Sequence, residues 1–155
     1  MELDLLRQAI EQAKNYHSQL VVVAGDSASL LLEHAASEGG LAGVNLSLSL
    51  SEKLIEVPRQ DRAKSAASLF AKLLHELNTR VLLLNHIEIL FDKTLSIEPL
   101  KLLQSNAKNL TLVVAWPGEK TTSSLTYAMP SHPEYRYYKA SDFGETIFVD
   151  AGKNE

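Results

Sequence analysis

The stretch "LVVVAGDSASLLLEHAA", residues 20–36, sets the reading of the whole chain. Its aliphatic start, "LVVVA", has no polar alternation, the mark of a strand covered on both faces as in parallel sheets. The run stops at Gly25, small polar residues follow, and Leu30, Leu31, Leu32 and Ala35 carry an apolar, helix-like segment that Gly39 and Gly40 would end. A buried strand, a glycine turn and a helix N-terminus together form the layout of a phosphate-binding loop.

The residues that give such a loop its chemistry are missing. A working P-loop, G-x-x-x-x-G-K-[ST], bends its amides around the phosphates, reaches the terminal ones with lysine and binds magnesium through a hydroxyl. Counted without gaps from Gly25, the G-K-[ST] places fall on Leu30, Leu31 and Leu32, and leucine performs none of these tasks. A loop three residues shorter puts Ser27, Ala28 and Ser29 there. Ser29 then keeps a hydroxyl, but lysine is still absent and the cradle is too short to wrap a triphosphate. Asp26 adds negative charge where a phosphate would sit. The helix N-terminus could still hold a small anion; the plainer alternative is that Asp26 or Ser27 caps the helix.

Outward from this segment, helices and apolar strands alternate. Leu3, Leu6, Ile10 and Ala13 are spaced for an opening helix. "GVNLSLSLSEKL" reads as a short alternating strand over residues 44–48, with Ser49 or Ser51 capping a helix that stops before Pro58. Ala66, Leu69, Phe70, Leu73, Leu74 and Leu77 form a helical stripe. Further apolar strands are expected at residues 81–84 and 110–115, with a helix over 95–104 between them. "YRYYK" and "ETIFVD" supply the remaining strand candidates. The pattern predicts an α/β sandwich of one domain over residues 1–155, built on a mostly parallel sheet of five strands. In such sheets ligands bind beyond the C-terminal strand ends.

Two other strand ends therefore matter. "VLLLNHIE" ends its strand in Asn85, where P-loop NTPases hold magnesium with an aspartate. Asparagine is neutral and a much poorer magnesium partner. Glu88 has the chemistry to orient an attacking water; alternatively Asn85 caps a short helix and Glu88 is a solvated acid. "AWPGEKTTSSLTYAMPSHPEYRYY" reads as a long surface loop ending in an aromatic and basic tail. Arg136 is its anion-contact candidate, and the tyrosines are either stacking groups or a half-buried strand.

Composition excludes several classes. The chain has 155 residues, 45% hydrophobic and 22% charged, which suits an ordinary globular domain. A net charge of −4 opposes broad binding to nucleic acid or anionic membranes. There is no cysteine, so thiol catalysis and disulfides are out. The five histidines show no H-x-x-x-H or H-x-H pairing, and no G-x-S-x-G elbow marks a nucleophilic serine. The acidic, amphipathic N-terminus differs from a signal peptide, and no apolar window approaches a membrane span of about 18 residues. A cytoplasmic protein is the expectation.

The segment order, with "NHIEILFDKTLSIEPLKLLQSNAKNLTLVVAWPG" followed by "LTYAMPSHPEYRYY", resembles the BrxF family, small P-loop-type proteins of the third class of BREX phage-defence systems. The resemblance runs from about Leu20 to Tyr138 and is most specific at Trp116–Gly118, Leu125–Ala128 and His132–Arg136. It implies a three-layer sandwich of P-loop NTPase, RecA/AAA-like topology. Gly25, Asp26, Ser27, Ala28 and Ser29 then correspond to the phosphate loop, Asn85 to the magnesium aspartate and Glu88 to the acid after it. It also implies BREX partners in a bacterial cytoplasm: an AAA-type ATPase, a phosphatase-like protein and a DNA methyltransferase. With glycine, lysine and aspartate all departing from the active pattern, triphosphate hydrolysis loses its positioning and charge neutralisation. The expectation is a non-catalytic assembly or regulatory subunit without a resident cofactor or metal, with homo-oligomers an open option. The alternatives are a weak ATP- and magnesium-dependent NTPase using Ser27, Ser29 and Glu88, and nucleic-acid binding through Arg136 and the tyrosines.

Overall fold

The computed structural model describes residues 2–152. Met1 and residues 153–155, part of the single domain expected over 1–155, lie outside the described residues. Five strands form one wholly parallel sheet: β1 (Leu20–Ala24), β2 (Ala42–Asn45), β3 (Val81–Asn85), β4 (Thr111–Ala115) and, from the end of the chain, β8 (Ile147–Asp150). Their spatial order is β2-β3-β4-β1-β8.

Alternate strand residues feed two separate apolar layers, as the period of two requires. Val21, Val23, Leu83 and Val113 face α1 (Glu2–Ala13) and α2 (Ala28–Gly39), meeting Leu6, Ile10, Leu31 and Leu32. Leu20, Val22, Leu82, Leu84, Leu112 and Val114 face the opposite way. They pack on α3 (Leu46–Leu54), α4 (Arg62–Leu77) and α5 (Pro99–Asn106) through Leu50, Phe70 and Leu103. Helices thus cover both faces, and the α/β three-layer sandwich with a parallel five-stranded sheet follows. Among the described residues no helix is long and apolar enough to cross a membrane.

Three local expectations are corrected. The serine-leucine alternation at residues 46–48 is helical, and Ser49 and Ser51 lie inside α3. The cap is Asn45, whose side chain accepts from the Leu48 amide at 3.0 Å. Leu46, Leu50 and Leu54, four residues apart, are the buried stripe, and Leu48 is left exposed. The helix expected at residues 95–104 begins only at Pro99. Ser96, with φ +54°, closes a 3-10 turn first, and Pro99 supplies a favourable first helical residue.

The third correction concerns residues 116–133, expected as a long loop. They contain β5 (Glu119–Lys120) and β6 (Ser124–Tyr127), which join β7 (Arg136–Lys139) in a separate antiparallel sheet. "YRYYK" is therefore a strand outside the main sheet, and "ETIFVD" provides its fifth member. Trp116 anchors the small sheet: its indole N–H donates to the Thr126 carbonyl at 2.8 Å. Phe91 stacks on Tyr127 at 3.8 Å and meets Trp116 edge-on at 5.4 Å, joining the small sheet to the main body.

Candidate functional site

A cleft of about 890 Å³ opens beyond the C-terminal ends of β1, β3, β4 and β8. This is the crevice where an open parallel sheet reverses its strand order. Gly25, Asp26, Ala28 and Ser29 line one wall, Glu88 and His86 another, and Trp116, Pro117 and Gly118 a third. The structure thus gathers in one cleft most of the residues singled out in the sequence. Ser27 and Asn85 stand outside its lining.

Asn85 meets Ser29 directly. The Ser29 hydroxyl donates to Asn85 Oδ1 at 2.6 Å, and Asn85 Nδ2 donates to the Ser29 carbonyl at 3.3 Å. Asn85 ends β3 and Ser29 lies in the first turn of α2, so the pair spans the width of β4, which lies between β1 and β3. The role of Asn85 as a cap for the following turn is thereby corrected: its side chain is held by Ser29. His86, next in the chain, sits at φ +56°, and its carbonyl accepts from the Ser47 amide at 2.8 Å and the Ser47 hydroxyl at 2.6 Å. Glu88 begins a 3-10 turn, Glu88–Phe91, and is exposed to the cleft. Its charge, after burial and Glu134, raises the pKa of the Tyr127 phenol.

The turn after β1 is closed by the chain itself. The Ser27 amide donates to the Ala151 carbonyl at 3.1 Å, and the Ala28 amide to the Gly25 carbonyl at 3.2 Å. Ala151 also donates to the Ala24 carbonyl at 2.7 Å, which fixes the segment after β8 against the turn. Gly25 adopts φ +122°, and a Cβ there would lie 3.1 Å from the Ala151 backbone. Ser27 is the N-cap by position, but its side chain makes no capping hydrogen bond. Ser27 thus holds the expected N-cap position, while the segment after β8, and not the Ser27 side chain, satisfies the turn.

The charges of the cleft oppose a polyphosphate. Among the described residues, Asp26, Glu88, Glu119 and Asp150 line it against a single lysine, Lys120. That ammonium lies 4.7 Å from the Phe148 ring centre and 5.4 Å from that of Phe143, and it donates to the Thr121 carbonyl. Nucleotide with magnesium does not fit these residues. With Ser29 in the place of the loop hydroxyl, the lysine place falls on Ala28; the Ser27 amide and Ser29 hydroxyl already have partners, and β3 ends in an amide, Asn85. Among the described residues no cluster of three metal-ligating side chains occurs. Arg136, the expected anion contact, instead donates to the Ile97 carbonyl at 3.0 Å and lies 3.9 Å from Glu98.

Lys120, Phe148, Asp150 and Ala151 were not legible as site residues. A strand ending in an acid was visible in "ETIFVD", but its place beside β1 was not. Comparison with protein-family models, with curated proteins and with solved structures finds no match to this chain.

Proposed function

We propose that the chain is a degenerate P-loop protein of RecA/AAA-like topology, a non-catalytic assembly or regulatory subunit of a BREX-type phage-defence system. The observation that carries the P-loop reading is the Ser29–Asn85 pair. P-loop NTPases bring a loop hydroxyl and a strand-end aspartate to the same magnesium ion. In this reading the Ser29 hydroxyl and the Asn85 amide take those two places, and they hydrogen-bond to each other. The insertion of β4 between β1 and β3 supports the same topology. The Ala151 carbonyl on the Ser27 amide supports loss of phosphate binding. Membership of the BrxF family, and with it the defence role and the ATPase, phosphatase-like and methyltransferase partners, rests on the sequence resemblance.

Thermal unfolding with millimolar ATP, ADP and magnesium tests the nucleotide part. A micromolar site raises stability by about 4 kcal/mol at a thousandfold ligand excess, on the order of 10 °C for this chain length. No rise is expected; a rise of that size overturns the non-binding reading. Co-purification with the BREX components tests the assembly part, and a chain that stays partnerless among all of them defeats it. One observation favours a second reading, a weak NTPase: Glu88 and Ser29 share the cleft. That reading predicts turnover above background, abolished in Glu88→Gln.

A further inference from the structure

The parallel sheet ends in two edge strands, β8 and β2. At β8, the Phe148 ring packs on Phe143 at 4.8 Å, and the Lys120 ammonium lies over both. At β2 no described strand pairs beyond it. Ala42, Gly43 and Asn45 are exposed, and Val44 is half-buried. The strand "AGVN" carries no lysine, no proline and no charge, the devices that ordinarily protect an open edge from pairing.

Beside this edge runs a groove of about 320 Å³ between β2–β3 and α2. Gly43 pairs in register with Leu83, so its missing side chain falls on the α2 face and leaves the groove open. A Cβ at Gly43 would touch Ala36 and Leu83 only at 3.7 Å, with room beyond. Leu32, Ala36 and Leu83 supply apolar walls, and exposed Glu33 supplies the charge.

We infer that β2 is an acceptor edge for an extended, basic segment of another protein, added to the main sheet as a further strand. The main chain supplies pairing, and alternate side chains supply selection. An aliphatic side chain of that segment enters the groove beside Gly43, and a lysine or arginine meets Glu33. A second copy of this chain is the poorer occupant. It brings the same exposed Glu33 and a net charge of −4 to the edge. The inference does not rest on the phosphate-loop reading, since pairing at β2 is scored separately from any nucleotide response.

Backbone amide exchange of residues 42–45, followed by NMR in the full chain, tests it with two blocked peptides. One carries valine and lysine two residues apart, on one face of the strand, between neutral residues; the other has glutamate in place of that lysine. The lysine peptide is expected to slow exchange at β2, and the glutamate peptide to leave it unchanged. Glu33→Lys, a surface change, should reverse that preference. Gly43→Leu, which fills the groove, should weaken the lysine peptide about tenfold, the equivalent of one apolar side chain lost from the contact. Three results overturn the inference: exchange unaffected by either peptide, equal protection by both, or protection that appears without peptide as the protein is concentrated. The last would assign the edge to a second copy.

Discussion

Gly25 shows how one residue commits the site. Its φ of +122° lies where side chains are strained, and the Ala151 backbone stands 3.1 Å from where a Cβ would go. Gly25→Ala is therefore expected to cost about 1–3 kcal/mol, from backbone strain and the crowding of a fixed neighbour. Urea denaturation gives the value directly. The same substitution at Gly43, where φ is ordinary and the nearest atoms lie at 3.7 Å, should change stability far less. The contrast separates a glycine required by conformation from one that only leaves space.

Among the elements, the small antiparallel sheet depends on a close backbone approach. Gly118 lies against β6 so tightly that an added Cβ would overlap the Thr126 carbonyl, the acceptor of the Trp116 indole N–H. Gly118→Ala must push β5 from β6 or displace Trp116, at a cost of about 1–3 kcal/mol or more. Loss of near-ultraviolet ellipticity from Trp116, with the far-ultraviolet spectrum of the main body retained, would show the small sheet opening alone. An unchanged near-ultraviolet spectrum would mean that the approach has slack.

For the whole molecule, the link between the small sheet and the three-layer body is titratable. The Tyr138 hydroxyl donates to Glu98 at 2.6 Å and accepts from the Leu100 amide at 3.5 Å, tying β7 to the start of α5. Burial, then the hydrogen bond to Glu98 and its charge, push the Tyr138 pKa well above the ordinary 10.0. Below pH 10 both folded and unfolded chains keep this proton, and its stabilising contribution is fully present. Above it the unfolded chain loses the proton first, so stability falls as pH rises. Tyr138→Phe should lose about 1 kcal/mol at neutral pH with the hydrogen bond. It should also flatten the alkaline fall. Denaturation midpoints of both proteins between pH 8 and pH 11 check this, and parallel curves would exclude Tyr138 as the group responsible.

Local physics was written plainly in parts of the chain. "LVVVA" is uninterrupted by polar residues because both faces of β1 are buried, so its bounds, Leu20–Ala24, follow from the sequence alone. The stripe on α4 and the left-handed Gly40 that ends α2 were legible for the same reason: each depends on near neighbours. "LSLSLS" misled because alternation and a four-residue leucine spacing coexist there, and Asn45 selects the helix. The sequence by itself determined the apolar strands, their helical companions and the absence of a loop lysine. Only the tertiary structure decided that Ser29 and Asn85, 56 positions apart, bond to each other. It alone decided that Ala151 closes the turn at Gly25 and that β2 is left at an open edge. Strand order and long-range hydrogen bonds depend on how the layers pack, and no short stretch of residues encodes them.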